Sequence, residues 1–217
     1  MMINSGMLHM AAHVLAKELP KAYRDGMKEA DAEEIEEIVN THAIGAAAAG
    51  LAAGWIPGAG GTAALMASAG FVWSMYYRIN KKIGIPLSKT VVKSLGAAVL
   101  TNLAGTAMAL VGGTILATVL SFTGIGNAAS SLIMAGLDYA VVLVSGVIYL
   151  KLLIRLFKAG NDPSDMSVED LKSAANHVIQ AEDVNQMLQN AKDSYKAAYK
   201  SGKITGKESV TLENDDE

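Results

Sequence analysis

Apolar residues run through the middle of this chain in long blocks that charge does not interrupt. Residues 38–77 hold no Asp, Glu, Lys or Arg, and neither do residues 94–137. Water requires charge of a protein surface and lipid expels it. The pattern therefore predicts helices surrounded by hydrocarbon. Trp55-Ile56-Pro57-Gly58-Ala59-Gly60-Gly61 marks a turn in the first block and divides it into helices over about 38–55 and 62–80. Each arm is 18–20 residues long, near the lower limit for a membrane span. Phe122-Thr123-Gly124-Ile125-Gly126-Asn127 divides the second block into helices over about 88–121 and 128–157. At about 1.5 Å per residue, the uncharged part of the third helix is roughly 40 Å long, against roughly 30 Å of hydrocarbon. It has room to tilt, or to kink at Gly112-Gly113.

The flanks read differently. Residues 7–19 form a short amphipathic helix stopped at Pro20, and residues 21–37 continue with helix formers and the acids Asp31, Glu33, Glu34, Glu36 and Glu37. After Asn161-Asp162-Pro163, Ser167 with Asp170 three residues on has the form of a helix N-cap. One amphipathic helix is expected beyond it, with Leu171, Val178, Val184, Leu188, Tyr195 and Ala198 on one stripe. That stripe suits packing on the protein's own core, and it equally suits a coiled coil or a membrane surface. Residues 201–217 are polar and acidic and are expected to be disordered. The expected fold is all-α, an integral membrane bundle of four apolar segments in two hairpins over 38–158. An acidic helical region over 1–37, an amphipathic helix over 159–200 and the tail complete the chain.

Composition sharpens this picture because its average conceals a segregation. Apolar residues make up 51% of the chain and mean hydropathy is +0.29, with 18% charged residues. Only six charges lie between Ile38 and Leu150: Arg78, Lys81, Lys82, Lys89 and Lys93 in one window, and a lone acid, Asp138. The net charge of -3 gives no nucleic-acid footprint. The absence of Cys excludes disulfides, thiolate metal sites and Cys nucleophiles. No signal peptide is legible in the first thirty residues. With four spans, the turns at 57–61 and 122–127 lie outside, and the basic window with Lys151, Arg155 and Lys158 lies inside. Both termini would then be cytoplasmic, at a bacterial inner membrane. Phe71, Trp73, Tyr76, Tyr77 and Trp55 suit either interfacial anchors or core aromatics. The first hairpin suits re-entry at half depth as well as full crossing.

Small residues recur at helical spacing. Ala46, Gly50, Gly54 and Gly58 form one line, and Ala97, Thr101, Gly105, Ala109, Gly113, Ala117 and Ser121 another. Such lines let helix backbones approach closely in lipid, within one chain or between copies. Asp138 is a candidate pore residue, a buried hydrogen-bonding group partnered by Ser, Thr, Asn102 or Asn127, or a group at the water interface. His9 and His13 have the i, i+4 spacing of two metal ligands, but the sequence offers no third, and no metal is expected. No cofactor motif, phosphate loop or catalytic triad is legible, so no enzyme is expected.

Ile56-Pro57-Gly58-Ala59, the helix end Met75-Tyr76-Tyr77-Arg78-Ile79-Asn80-Lys81-Lys82-Ile83-Gly84, Leu87-Ser88 and a later Gly-rich turn before a helix containing Tyr139 carry a resemblance. Over about residues 35–157 the chain resembles the YcjF-like bacterial domain of unknown function, often found C-terminal to Era-like or dynamin-like GTPase domains. The resemblance implies a membrane-associated helical domain with hairpin insertion and no catalytic residues. The sequence departs from the family's usual context in having no GTPase domain, a GTPase or another protein is a candidate partner, and Asp138 is not part of the family pattern. The functional expectation is a non-enzymatic membrane protein that self-assembles as a homo-oligomer, or recruits a partner at the lipid bilayer through its termini. The alternatives are an oligomeric channel with Asp138 near the lumen, and a soluble Ala/Gly-rich bundle.

Overall fold

The structure, a computed structural model, describes residues 6–24, 29–53, 60–119 and 126–213, with side chains described except at 24, 29–30, 53, 60–67, 104, 108–119 and 126–131. Every regular element among these residues is helical: α1 (Gly6–Glu18), α2 (Lys21–Arg24), α3 (Glu29–Ala53), α4 (Gly60–Ile83), α5 (Lys89–Val119), α6 (Gly126–Lys158), a single 3₁₀ turn (Pro163–Asp165), α7 (Val168–Ala181) and α8 (Val184–Lys200). The four apolar helices read from the uncharged blocks are α3 to α6. The described break between them, from α4 to α5, falls where glycine and proline dictate. α4 ends at Gly84, whose φ of +84° is open to glycine, and Gly84 and Ile85 both donate to the Asn80 carbonyl. Pro86 then prevents helix from resuming, and Ser88 starts α5 by accepting from the Val91 amide at 3.3 Å.

Two boundaries differ from expectation. The acidic segment and the first apolar helix are one helix, α3, because no breaker stands between them. The C-terminal amphipathic stretch is two helices, because Asp183 caps α8 by accepting from the Gln186 amide at 3.0 Å. A stripe of near-helical period passes across such a break without revealing it. Ser167 caps α7 as expected, accepting from the Asp170 amide at 3.1 Å.

α3 to α6 form an up-down-up-down bundle. Val39 meets Gly146 and Gly50 meets Asp138, so α3 and α6 are antiparallel; Ser68 meets Asp138 and Tyr76 meets Ser145, so α4 runs with α6. The helix ends that lead into 54–59 and 120–125 therefore lie together at one end of the bundle, and the basic window lies at the other. α6 is central. α3, α4 and α5 pack on one side of it, and α1, α7 and α8 pack on the rest. Every residue from Met134 to Leu150 is buried. Each fully covered Leu, Val or Ile there contributes about 1.5–3 kcal/mol.

This arrangement changes the membrane expectation. Among the described residues one helix, α6 over Leu132–Lys158, is long and apolar enough to cross a membrane, and 83% of its most apolar window is buried inside the chain. Four such segments were expected. α3 begins in the acidic run, α4 ends in the basic window and α5 starts in it, and the side chains of 60–67 and 108–119 lie outside those described. The tail also departs from expectation: residues 204–213 pack across α3 and α4. Ile204 is buried, Val210 lies against Gly45, and Leu212 reaches Gly70. Glu213 pairs with Arg78 at 3.2 Å. Residues 214–217 lie outside the described residues. Polar letters made the tail look unstructured, but Ile204, Val210 and Leu212 are spaced to anchor it.

A Cβ at Gly146 would stand 2.6 Å from Val39 and 3.1 Å from the Met75 sulfur, whereas one at Gly105 would meet nothing within 4 Å. Gly146→Ala should therefore cost about 1–3 kcal/mol. Gly105→Ala should be neutral or stabilise by about 0.5–1 kcal/mol, since alanine loses less backbone entropy in a helix. Denaturant unfolding of the two variants checks this; equal stabilities would contradict the close α3–α6 crossing.

Candidate functional site

Polar side chains inside this bundle collect in one seam between α3, α4 and α6. Asp138 is 4% exposed. Ser68 of α4 donates to its Oδ1 at 3.4 Å, a long hydrogen bond, and its other oxygen lies against the backbone of Gly50, where a side chain would collide. Loss of hydration outweighs the Ser68 bond and pushes the carboxyl up to about 7. Of the partners expected for Asp138, serine is the one found. Asn102 is outside, donating to Asn176 of α7 at 2.9 Å, and Asn127 has no described side chain. The placement at a water interface is overturned, because α6 turns Asp138 toward α3 and α4.

His42 of α3 lies in the same seam. Its Nδ1 donates to the Ile38 carbonyl at 2.7 Å, and its Nε2 lies 3.2 Å from Ser74 Oγ. The Ile38 carbonyl can only accept, so Nδ1 carries the proton, and in the neutral ring Nε2 accepts from the Ser74 hydroxyl, which itself accepts from the Glu213 amide at 3.1 Å. Burial holds His42 down at about 4. Below it, Tyr76 donates to the Ser145 carbonyl at 2.9 Å, and Tyr149 donates to Asn80. The two tyrosine rings stack with centroids 4.0 Å apart. Tyr76 and Phe71 are thus core aromatics rather than interfacial anchors. Trp55 lies outside the described residues.

The basic window finds partners in its own chain. Arg78 holds the tail, and Lys82 bridges Asp31 and Glu34 at 2.6 Å each. Lys89 sits over Tyr77 at 5.5 Å and Lys93 over Trp73 at 4.7 Å. Lys81 is exposed. Of the small-residue lines, Gly50 is packed against Asp138 and Ala135. Gly54 and Gly58 lie outside the described residues. Ala97, Thr101 and Gly105 face outward, and the surroundings of Ala109 and Gly113 on α5 are not among those described. The α5 line is therefore not an intrachain contact over its described part.

Two features came from the fold rather than from the pattern. A groove of about 370 Å³ lies between α1, α6 and α7, lined by Met7, Met10, Val14 and Val178 with Lys151 and Arg155 at its rim. Met10 is the exposed large hydrophobic there, at 64%. At the α1–α3 contact, Glu36 joins His9 and His13. Amphipathic spacing marked α1, but nothing in it told which face α6 and α3 would leave open. The chain has no match to any family model, curated protein or solved structure.

The Asp138 carboxyl takes up its proton at about 7 when folded and at about 3.8 when unfolded. Between these values the unfolded chain releases a proton that the folded chain keeps. Folded stability therefore falls as pH rises across that window and levels off above it. Asp138→Asn should match wild type near pH 4 and exceed it by up to a few kcal/mol at pH 8, because each pH unit between the two values is worth about 1.4 kcal/mol. His42 acts oppositely, losing stability as pH falls from 6.5 toward 4, but it is common to both proteins. Urea unfolding of the pair at several pH values checks this; a pH-independent difference would contradict it.

Proposed function

We propose that this chain is a non-enzymatic helical protein that docks on a lipid bilayer by the uncharged end of its bundle and self-assembles or recruits a partner there. The carrying observation is where charge falls on the fold. The ends of α3, α4, α5 and α6 that lead into 54–59 and 120–125 belong to runs without Asp, Glu, Lys or Arg. The other end carries the basic window, the acidic start of α3 and the charged faces of α1 and α7, while α8 sets Lys192, Asp193 and Lys196 along the bundle beside Leu132, Ile133 and Gly136 of α6. Helix ends without charge of their own, opposite a charged end, suit a body standing in water with its tip in one leaflet. This favours the half-depth reading of the first hairpin over full crossing, with α6 from Leu132 to Lys158 as a core helix. The resemblance to the YcjF-like domain, with its implied hairpin insertion and GTPase context, points the same way. The proposed location is the bacterial inner membrane, with the basic end and both termini on the cytoplasmic side.

Self-assembly is supported by the outward line Ala97, Thr101 and Gly105, which the chain does not cover. A pore finds less support, because Asp138 ends in packed contact with Gly50 and Ser68. The soluble bundle is the second reading, favoured by the burial of α6 within its own chain.

The two tryptophans, Trp55 in the uncharged stretch before Pro57 and Trp73 under Lys93, make the test direct. In a Trp73→Phe protein, Trp55 emission should shift to the blue on adding anionic vesicles and be quenched by brominated acyl chains. In a Trp55→Phe protein, Trp73 should do neither. Unchanged Trp55 emission, with the protein dispersed in buffer without detergent, would establish the soluble reading instead. If copies meet along α5, Gly105→Leu should reduce chemical cross-linking between copies while leaving the unfolding midpoint within a few degrees of wild type.

A further inference from the structure

We propose that His9 and His13 of α1 and Glu36 of α3 form a binding site for a divalent transition-metal ion of the zinc class, which clips the N-terminal helix to the bundle. One ligand atom from each residue lies within 4.8 Å of the other two. His9 Nδ1 is 2.8 Å from Glu36 Oε1, and His13 Nε2 is 3.6 Å from the same oxygen. The imidazole rings lie with centroids 4.2 Å apart, as i, i+4 residues on one helical face should.

Donor chemistry and accessibility agree with this assignment. Two imidazoles and one carboxylate are a set that zinc takes with a water in the fourth position. His13 Nε2 is a buried nitrogen without a hydrogen-bond partner, directed to the Glu36 carboxylate. A bound cation would supply the partner it lacks. The Glu36 side chain is 12% exposed while that of His9 is 60% exposed, so the site is walled on the α3 side and open on the other. That opening admits the ion and leaves room for the water. Binding draws Glu36 from the His9 hydrogen bond to the metal, and any proton on the coordinating nitrogens is released to solvent.

Glu36 lies 27 residues from His9, so the third ligand exists only once α1 has docked on α3. The ion should therefore bind the folded chain in preference to the unfolded one. At 100 times its Kd it would raise the folded-to-unfolded ratio about 100-fold. Its role on this geometry is structural: it fixes α1, which covers one flank of α6, against the acidic start of α3.

The experiment uses the full-length chain without a histidine tag, stripped with a chelator. It is titrated with Zn²⁺ by calorimetry and with Co²⁺ by visible absorption. One ion per chain is expected, with the intense visible bands of four-coordinate Co²⁺. His13→Ala and Glu36→Gln should each weaken binding by at least about tenfold, the lower end of what even outer-shell losses cost at metal sites. His177→Ala, on α7, should leave it unchanged. His9→Gln is the second ligand variant, chosen because its exposed position spares the core, and circular dichroism checks that each variant is folded. Equal affinity in wild type and in folded His9→Gln would overturn the site. So would loss of binding with His177→Ala, or a weak six-coordinate Co²⁺ spectrum that Glu36→Gln does not alter.

Discussion

Seventeen consecutive residues of α6, Met134 to Leu150, lie out of solvent. A helix that is apolar all round has no face it can give to water, so neighbours must surround it. α3, α4 and α5 cannot close that ring, since each contributes only one face. α1, α7 and α8 complete it. Each has an apolar stripe for α6 and a polar outer face: Leu8, Ala12 and Leu15 on α1, Leu171, Ala175 and Val178 on α7, Leu188, Ala191 and Tyr195 on α8. The amphipathic helices at both ends of the chain thus stand where lipid would otherwise be.

Close approach of α3 to α6 has a second consequence. Gly50 and Gly146 bring the two backbones together, and what fills the remaining seam is unusually polar. Tyr76, Tyr139, Tyr149, His42, Ser68, Ser74 and Asp138 all lie there with little or no solvent. Most find a partner across the seam, which fixes the rotation of α3, α4 and α6 about their axes more narrowly than apolar packing would. Asp138 is the least satisfied, with one long bond from Ser68. Hydration lost there is what sets its protonation, not a neighbouring charge.

The outer layer is held by charge and by the tail. Lys151 pairs with Glu182 at the α7–α8 junction, and Lys158 with Glu18 at the end of α1. Arg78 and Ser74 take the side chain and backbone of Glu213. These contacts lie toward the charged end of the bundle. The basic window that reads in sequence as a patch for anionic lipid is largely engaged in holding the protein's own acidic and aromatic groups.

The elements were legible because helix length and breakage are local. Uncharged blocks and Gly84 with Pro86 placed α4, α5 and α6 to within a few residues, and the Ser167 cap placed the start of α7, whereas α3 begins nine residues before the expected apolar helix and α7 ends at Ala181. The Asp183 cap was not read, because a continuous apolar stripe runs across it. Candidate chemistry was half legible: Asp138 stood out as the lone acid, and His9 with His13 as a spaced pair. Ser68, 70 residues from Asp138, and Glu36, 27 from His9, carry no mark that joins them to these sites. The amino-acid order alone determined where helices form and which stretches reject charge. Only the packed structure decided what those stretches lie against. A leucine transferred from water to lipid or to another helix gains nearly the same free energy, so hydropathy cannot distinguish the two.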